Sequence, residues 1–181
     1  MALPPSTGCV AASICSCLRS PPCGGLLRNR GTDMEQDTGH YVEYPHPIRA
    51  GPGAIDNLAH VNNAIYLMWM QEAIGALWRK TAPLGQVKAL TWVAHRHDVV
   101  YNRPAVLHDL LIAVVRVTGY QSCCAQLETR FERHGKCVAM IKSTMICVDR
   151  ASGQLKCIRP DLARHFRLFK DEAVATAGAT S

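Results

Sequence analysis

The chain has 181 residues, 48% of them hydrophobic, which suits one domain with its own core and excludes disordered and collagen-like classes. Twenty basic residues against 14 acidic ones leave a net charge of +6, without the dense basic stretch or interleaved aromatics that nucleic-acid binding needs. No apolar run approaches the roughly 20 residues of a membrane span, so a cytoplasmic protein without a membrane span is expected.

Residues 1–40 are rich in Pro, Gly, Ser and Cys and carry three Arg against three acids. They read as a disordered extension. A transit peptide for an organelle shares those features, as does an over-long start. Cys15-Ser-Cys17 has no CxxC partner, which argues against a zinc site there. Residues 41–170 read as a single domain and 171–181 as a flexible tail. Nine cysteines cannot all pair within one chain, and reduced thiols are expected.

Residues 41–49 read as a strand whose Pro45 and Pro47 suit a sheet edge. A Gly/Pro loop follows at 50–56. Residues 63–80 read as one helix, with Asn62 or Asn63 as N-cap, Arg79 and Lys80 in the last turn, and Pro83 and Gly85 barring continuation. It is apolar nearly all round, from Ile65 through Trp69 to Trp78, so enclosure by other structure is expected. Strands are expected at 87–101, 109–118, 121–133 and 137–148. In the third of these Ala125, Leu127, Thr129 and Phe131 share one side while Glu128, Arg130 and Glu132 share the other. A short helix is expected at 161–169. One helix on a curled antiparallel sheet is an α+β domain.

Asp56, His60 and Glu72 stand out chemically. Asp56 precedes a helix start, where backbone N–H groups point outward and can stabilise an oxyanion. A carboxylate there can act as general base or nucleophile. The bland alternative is a turn residue. Glu72, on the apolar helix, either pairs structurally at an interface or positions water. For His60 a local hydrogen-bonding role competes with that of base or ligand. His95 and His97 share a strand face but lack a third metal ligand at motif spacing, and the adjacent Cys123 and Cys124 should point to opposite faces. No serine-hydrolase elbow, phosphate loop or dinucleotide fingerprint is present.

The stretch AIDNLAHVNNAIYLMWMQEA, residues 54–73, resembles the signature of hotdog-fold acyl-CoA thioesterases, such as the 4-hydroxybenzoyl-CoA and plant-type acyl-carrier enzymes. Asp56, His60, Val61, Asn62, Asn63, Tyr66, Leu67, Glu72 and Ala73 match it. Tyr101-Asn-Arg103-Pro104 and Val148-Asp149 with Pro160 resemble later family features, so the likeness spans about residues 42–165. Two positions depart: Ala54 replaces the first family aspartate, and Ala59 replaces the glycine before His60. If the loop needs positive φ, Ala59 strains it.

The resemblance implies a five-stranded antiparallel sheet wrapped around one long central helix. It implies a homodimer or homotetramer with active sites between subunits, and hydrolysis of an acyl-CoA or acyl-carrier thioester without metal or other cofactor. Asp56 would activate water or attack. Amides from His60 to Asn63 would polarise the carbonyl, with His60, Asn62 and Asn63 forming the catalytic loop. Glu72 would orient water or substrate. Ala59, Val61, Tyr66, Trp69, Tyr101 and Arg103 would surround the substrate. Arg96, Arg103, Arg130 and Arg133 are candidates for the CoA phosphates. A non-catalytic acyl-thioester-binding module is the alternative, and a hotdog dehydratase a weaker one.

Overall fold

The structure is a computed structural model and describes residues 43–121, 123–158 and 162. The readings for residues 1–40, for the tail from 171 and, Leu162 apart, for a helix at 161–169 lie outside the described residues. In chain order the elements are β1 (Glu43–Arg49), a 3-10 turn (Pro52–Ala54), α1 (Asn63–Thr81), α2 (Leu84–Ala89), β2 (Leu90–Tyr101), β3 (Leu110–Gln121), β4 (Cys124–Arg133) and β5 (Lys136–Asp149). The strands form one antiparallel sheet in the order β1-β3-β4-β5-β2.

The expected strand from residue 87 begins instead at Leu90. Pro83 ends α1, but its carbonyl accepts the Gln86 and Val87 N–H groups at 2.9 and 3.0 Å and so starts the short helix α2. Leu, Gln and Lys in that segment are good helix formers, and a strand-like reading of it underrates them.

The prolines of β1 behave as their chemistry requires. The Ala50 N–H donates to the Asp109 carbonyl, so positions 46 and 48, two and four residues earlier, turn their backbone groups toward β3. Pro45 and Pro47 therefore lack N–H groups only on the outward side, where no ladder bond is lost. The opposite edge, β2, carries no proline.

The inner face of the sheet is closed by alternation. Ala113, Val115 and Val117 of β3, Ala125, Leu127, Thr129 and Phe131 of β4, and Ile141, Ser143 and Met145 of β5 are all buried. Against them α1 presents Tyr66, Met70, Ala73, Ile74 and Leu77, a stripe at helical spacing. Tyr66 and Phe131 meet edge to face at 5.2 Å. Irregularities of register at Ala94/Arg96, Val117/Gly119 and Phe131/Glu132 each add a residue to one strand, which bends the sheet over the helix.

Enclosure of α1 is only half achieved within one chain. Its other face stays open, with Met68 62% exposed and Gln71 and Glu72 exposed beside it. The outer face of the sheet carries a charged row between apolar patches such as Leu110 and Ile112. In register across the five strands lie Glu43, Arg116, Glu128, Lys142 and Asp98, so the sign of charge alternates along the whole row. Like charges are kept from directly opposite positions, which favours this pairing.

Candidate active site

Asp56 sits in the loop joining the 3-10 turn to α1. The loop is closed by its own backbone: the Asp56 N–H donates to the His60 carbonyl at 2.8 Å and the Ala59 N–H to the Asp56 carbonyl at 3.1 Å. Asp56 Oδ1 accepts the Leu58 N–H at 2.9 Å and the His60 N–H at 3.3 Å. Among the described residues Oδ2 has no partner, so one carboxylate oxygen holds the turn while the other is available. Such a tight reversal needs a left-handed residue, and Ala59 supplies it with φ 59°. An L-residue with a Cβ costs roughly 1–2 kcal/mol in that region. The departure from glycine seen in the sequence is thus a real strain.

The row of open amides expected from His60 to Asn63 is largely consumed. The His60 N–H serves Asp56. The Val61 N–H donates to the Ala105 carbonyl and the Asn62 N–H to the Ala54 carbonyl, both at 2.8 Å. Asn62 is the N-cap, its Oδ1 accepting the Ala64 N–H at 2.9 Å, and the Ile65 N–H turns back to the Asn62 carbonyl at 3.0 Å. What remains is the Asn63 N–H, first in the helix and without a partner among the described residues. Asp56 is therefore joined by a single helix-start donor. Helix starts favour negative charge, which adds to that donor's pull on an anionic oxygen.

Tyr101 closes over this start, its hydroxyl donating to the Asn63 carbonyl at 2.9 Å, and its ring packs 5.6 Å from Tyr66. Burial raises the pKa of both tyrosines, so both stay neutral. Trp69 stands edge-on to Tyr66 at 5.5 Å. Val61 and Tyr66 are buried, whereas His60, Asn62, Asn63 and Ala59 are exposed at the loop surface. Glu72 departs from the apolar setting its helix suggested. It lies on the open face of α1, its side chain 62% exposed, with Oε1 3.7 Å from His46 Nε2 of β1. Asn62, ten positions earlier, caps the amino end, so Glu72 sits more than two turns from Asp56's loop.

Sequence reasoning missed the brace behind the loop. Arg133 of β4 pairs with Asp109, whose carboxylate also accepts the Val106 N–H at 2.8 Å. Burial works to raise the Asp109 pKa, but the Val106 N–H and the Arg133 guanidinium outweigh it, and the net shift is downward. This fixes residues 105–109, and with them the Ala105 carbonyl that holds Val61. Arg133 is thereby committed. So are Arg96, paired with Asp98 at 3.1 Å, and Arg130, paired with Glu43 and Glu132 at 3.2 Å. Of the four arginines considered for CoA phosphates, Arg103 alone makes no ion pair among the described residues.

His97 turns inward from β2 and its Nδ1 lies 3.0 Å from Ser143 Oγ, which in turn lies 3.0 Å from Met70 Sδ. Burial lowers the His97 pKa. His95 sits at the bulge and is exposed. Cys123 and Cys124 do not diverge as alternation predicts: Cys123 lies in the turn before β4, and the two sulfurs are 4.0 Å apart. The five described cysteines are free thiols, and burial pushes Cys147 up to about 11.

No described helix is long and apolar enough to cross a membrane. Solved structures share the architecture. YbaW, a probable thioesterase of Escherichia coli, aligns with 71% of this chain and 97% of its own at 23% identity and a TM-score of 0.58. A probable thioesterase from Bartonella henselae aligns with 65% and 98% at 18% identity and 0.58. A hypothetical protein from Staphylococcus aureus, in complex with CoA, aligns with 69% and 82% at 12% identity and 0.61. At these identities the likeness is one of fold, and the fold is the expected hotdog. No curated protein sequence is significantly similar. The profile of the thioesterase-like superfamily matches residues 50–166, and the matched span includes the Asp56 loop, α1 and all strands but β1. The chain belongs to the thioesterase-like superfamily.

Proposed function

We propose that the protein hydrolyses an acyl-CoA or acyl-carrier thioester to a carboxylic acid and a thiol, with the Asp56 loop as its catalytic centre. What supports this is that one braced loop carries both a carboxylate oxygen, Asp56 Oδ2, and a helix-start donor, the Asn63 N–H, that have no partner among the described residues, in a member of this superfamily. The donor would draw negative charge onto the thioester oxygen as the tetrahedral centre forms. Asp56 would take a proton from water or attack the carbonyl carbon itself. His60 and Asn62 serve by closing and capping the loop, Ala59 and Val61 by shaping it. Tyr66, Trp69 and Tyr101 would flank the acyl group, and Arg103 would meet the CoA phosphates. Glu72, from the open helix face, would act across a subunit boundary.

That boundary is proposed at the β2 edge. The β1 edge is blunted by Pro45 and Pro47, whereas β2 has no proline and is interrupted only by its bulge between Ala94 and Arg96. Leu58, Met68, Val100 and Tyr101, all large and at least 41% exposed, would be covered by a second copy there. A dimer of this kind would also cover the open face of α1.

The Oδ1 bonds are those of a turn residue, and they favour a second reading, an acyl-thioester-binding module without turnover. Incubating the purified chain with a panel of acyl-CoAs and following thiol release separates the two. Turnover of at least one member is expected. Saturable binding across the panel with no thiol released would leave only the binding module.

A further inference from the structure

The chain carries a thiol pair that the proposed hydrolysis leaves unused. Cys123 and Cys124 are adjacent, and along an ideal strand their side chains would diverge. Gln121 of β3 pairs with Cys124 of β4, and Cys123 lies in the turn between them. The turn brings both sulfurs to one side, 4.0 Å apart. Cys123 is 4% exposed and packs with Ile146 and Val148, in a small apolar cluster separate from the main core and bordered by Val93 and Leu155. Its carbonyl accepts the Cys147 N–H at 2.9 Å, which anchors the turn to β5. Cys124 is half-buried.

The other described thiols are placed differently. Cys137 donates to the Ala139 carbonyl at 3.4 Å and accepts from Asn102 Nδ2 at 3.7 Å. Cys147 is fully buried, and its raised pKa keeps it an unreactive thiol. Cys157 is exposed. Among the described residues no three His, Cys, Asp or Glu side chains gather as metal ligands, so two-sulfur chemistry is what the pair can offer. Within the pair the two sulfurs differ. Burial, and after it the neighbouring Cys124, raise the Cys123 pKa, so Cys123 holds its proton while the more open Cys124 meets a dissolved reagent first.

We infer that Cys123 and Cys124 form a redox-modification site, closed to a disulfide between neighbours by a hydroperoxide and reopened by a free thiol. The Cys124 sulfur attacks the oxygen–oxygen bond of hydrogen peroxide, becoming a sulfenic acid while the other oxygen leaves as water. The Cys123 sulfur then displaces the hydroxyl from Cys124, and that hydroxyl leaves as a second water with the Cys123 proton. Two thiols and one peroxide thus give one disulfide and two waters, the peroxide taking up two electrons. In the return step two external thiols become their own disulfide and give back both protons. The product is labile by construction. The two Cα atoms, joined by a trans peptide, lie about 3.8 Å apart, below the roughly 4.4–6.8 Å of ordinary disulfides. A strained disulfide is readily reduced by a thiol pool. The inference stands apart from hydrolysis, since neither the Asp56 loop nor α1 takes part.

The test is peptide mapping of the full chain after brief treatment with hydrogen peroxide and blocking of the remaining thiols. Cleavage after Arg116 and Arg130 releases residues 117–130, which hold Cys123 and Cys124 and no other cysteine. That peptide should be lighter by two hydrogens and unjoined to any other, and glutathione should restore its mass. Cys123→Ser should stop at the sulfenic acid, which a 1,3-diketone traps on Cys124, whereas Cys124→Ser should give no adduct in this peptide. Asp56→Asn should leave the whole pattern unchanged. The inference is overturned if both thiols survive peroxide that oxidises cysteines elsewhere in the chain, or if the peptide is found joined to another cysteine peptide. Oxidation past the disulfide to sulfinic acid, a ring that glutathione fails to open, or a diketone adduct on Cys123 in Cys124→Ser would overturn it as well.

Discussion

The two ends of α1 are built on opposite terms. At the amino end nearly every backbone amide is tied, a non-glycine residue is held at φ 59°, and the side chains at the surface are polar. At the carboxyl end Ile74, Trp78 and Trp92 line an open groove, and Arg79 and Arg150, which line it too, make no ion pair among the described residues. The first end spends stability to hold a shape, and the second leaves apolar surface and charge uncovered. In the loop, the structural role and the proposed chemical role fall on the same side chain, so only substitutions that keep the hydrogen bonds can separate them.

The amino end should be the more sensitive of the two. Phe131 lies fully buried under Tyr66, and Phe131→Ala should cost about 4 kcal/mol in chemical denaturation, because the cavity cannot collapse beneath a braced loop. Next comes the brace. Asp109→Asn should cost roughly 2 kcal/mol at neutral pH, as it leaves Arg133 without its charge partner. The depressed Asp109 pKa gives this a pH signature. The stabilisation is complete above the ordinary carboxylate range and fades as the pH falls through the depressed folded value. The gap between wild type and Asp109→Asn should therefore narrow in acid, and a gap independent of pH would show that the pair contributes nothing through charge.

Smaller effects bear on the loop itself. Asn62→Ala removes the cap on the Ala64 N–H and should cost about 1 kcal/mol. Ala59→Gly should raise stability by up to about 1 kcal/mol, since relief of the left-handed strain outweighs the added freedom of the unfolded chain. A loss of stability in that variant would mean that Ala59 is packed rather than strained. At the carboxyl end Gly75→Ala should be nearly neutral: the gain in helix propensity is set against moving the flexible Arg79 side chain.

What could be read from the sequence was local. The five strands and α1 followed from periodicity, the edge position of β1 from two prolines, and the cap from Asn62. The Ala59 strain was legible because a loop position that favours glycine names its own backbone region. The rest depended on register. Asp109 and Arg133 are 24 residues apart and meet only because β3 and β4 pair as they do. The order of the strands likewise brings Arg130 to Glu43, whereas Arg96 meets Asp98 two residues along its own strand. The engaged amides of Val61 and Asn62 answer to Ala105 and Ala54, partners that no helix-start rule predicts. The exposure of Glu72 was not legible because enclosure of α1 was expected all round, when only half of the helix is covered within one chain.

The central claim is that the open oxygen of Asp56 does chemistry while its other oxygen holds the turn. Asp56→Asn isolates it, since the amide oxygen can still accept the Leu58 and His60 N–H groups while the charge and the base are gone. Thiol release from the best acyl-CoA should fall by roughly a hundredfold or more in this variant, with the unfolding midpoint close to that of wild type. Undiminished release from a folded Asp56→Asn protein would contradict the account.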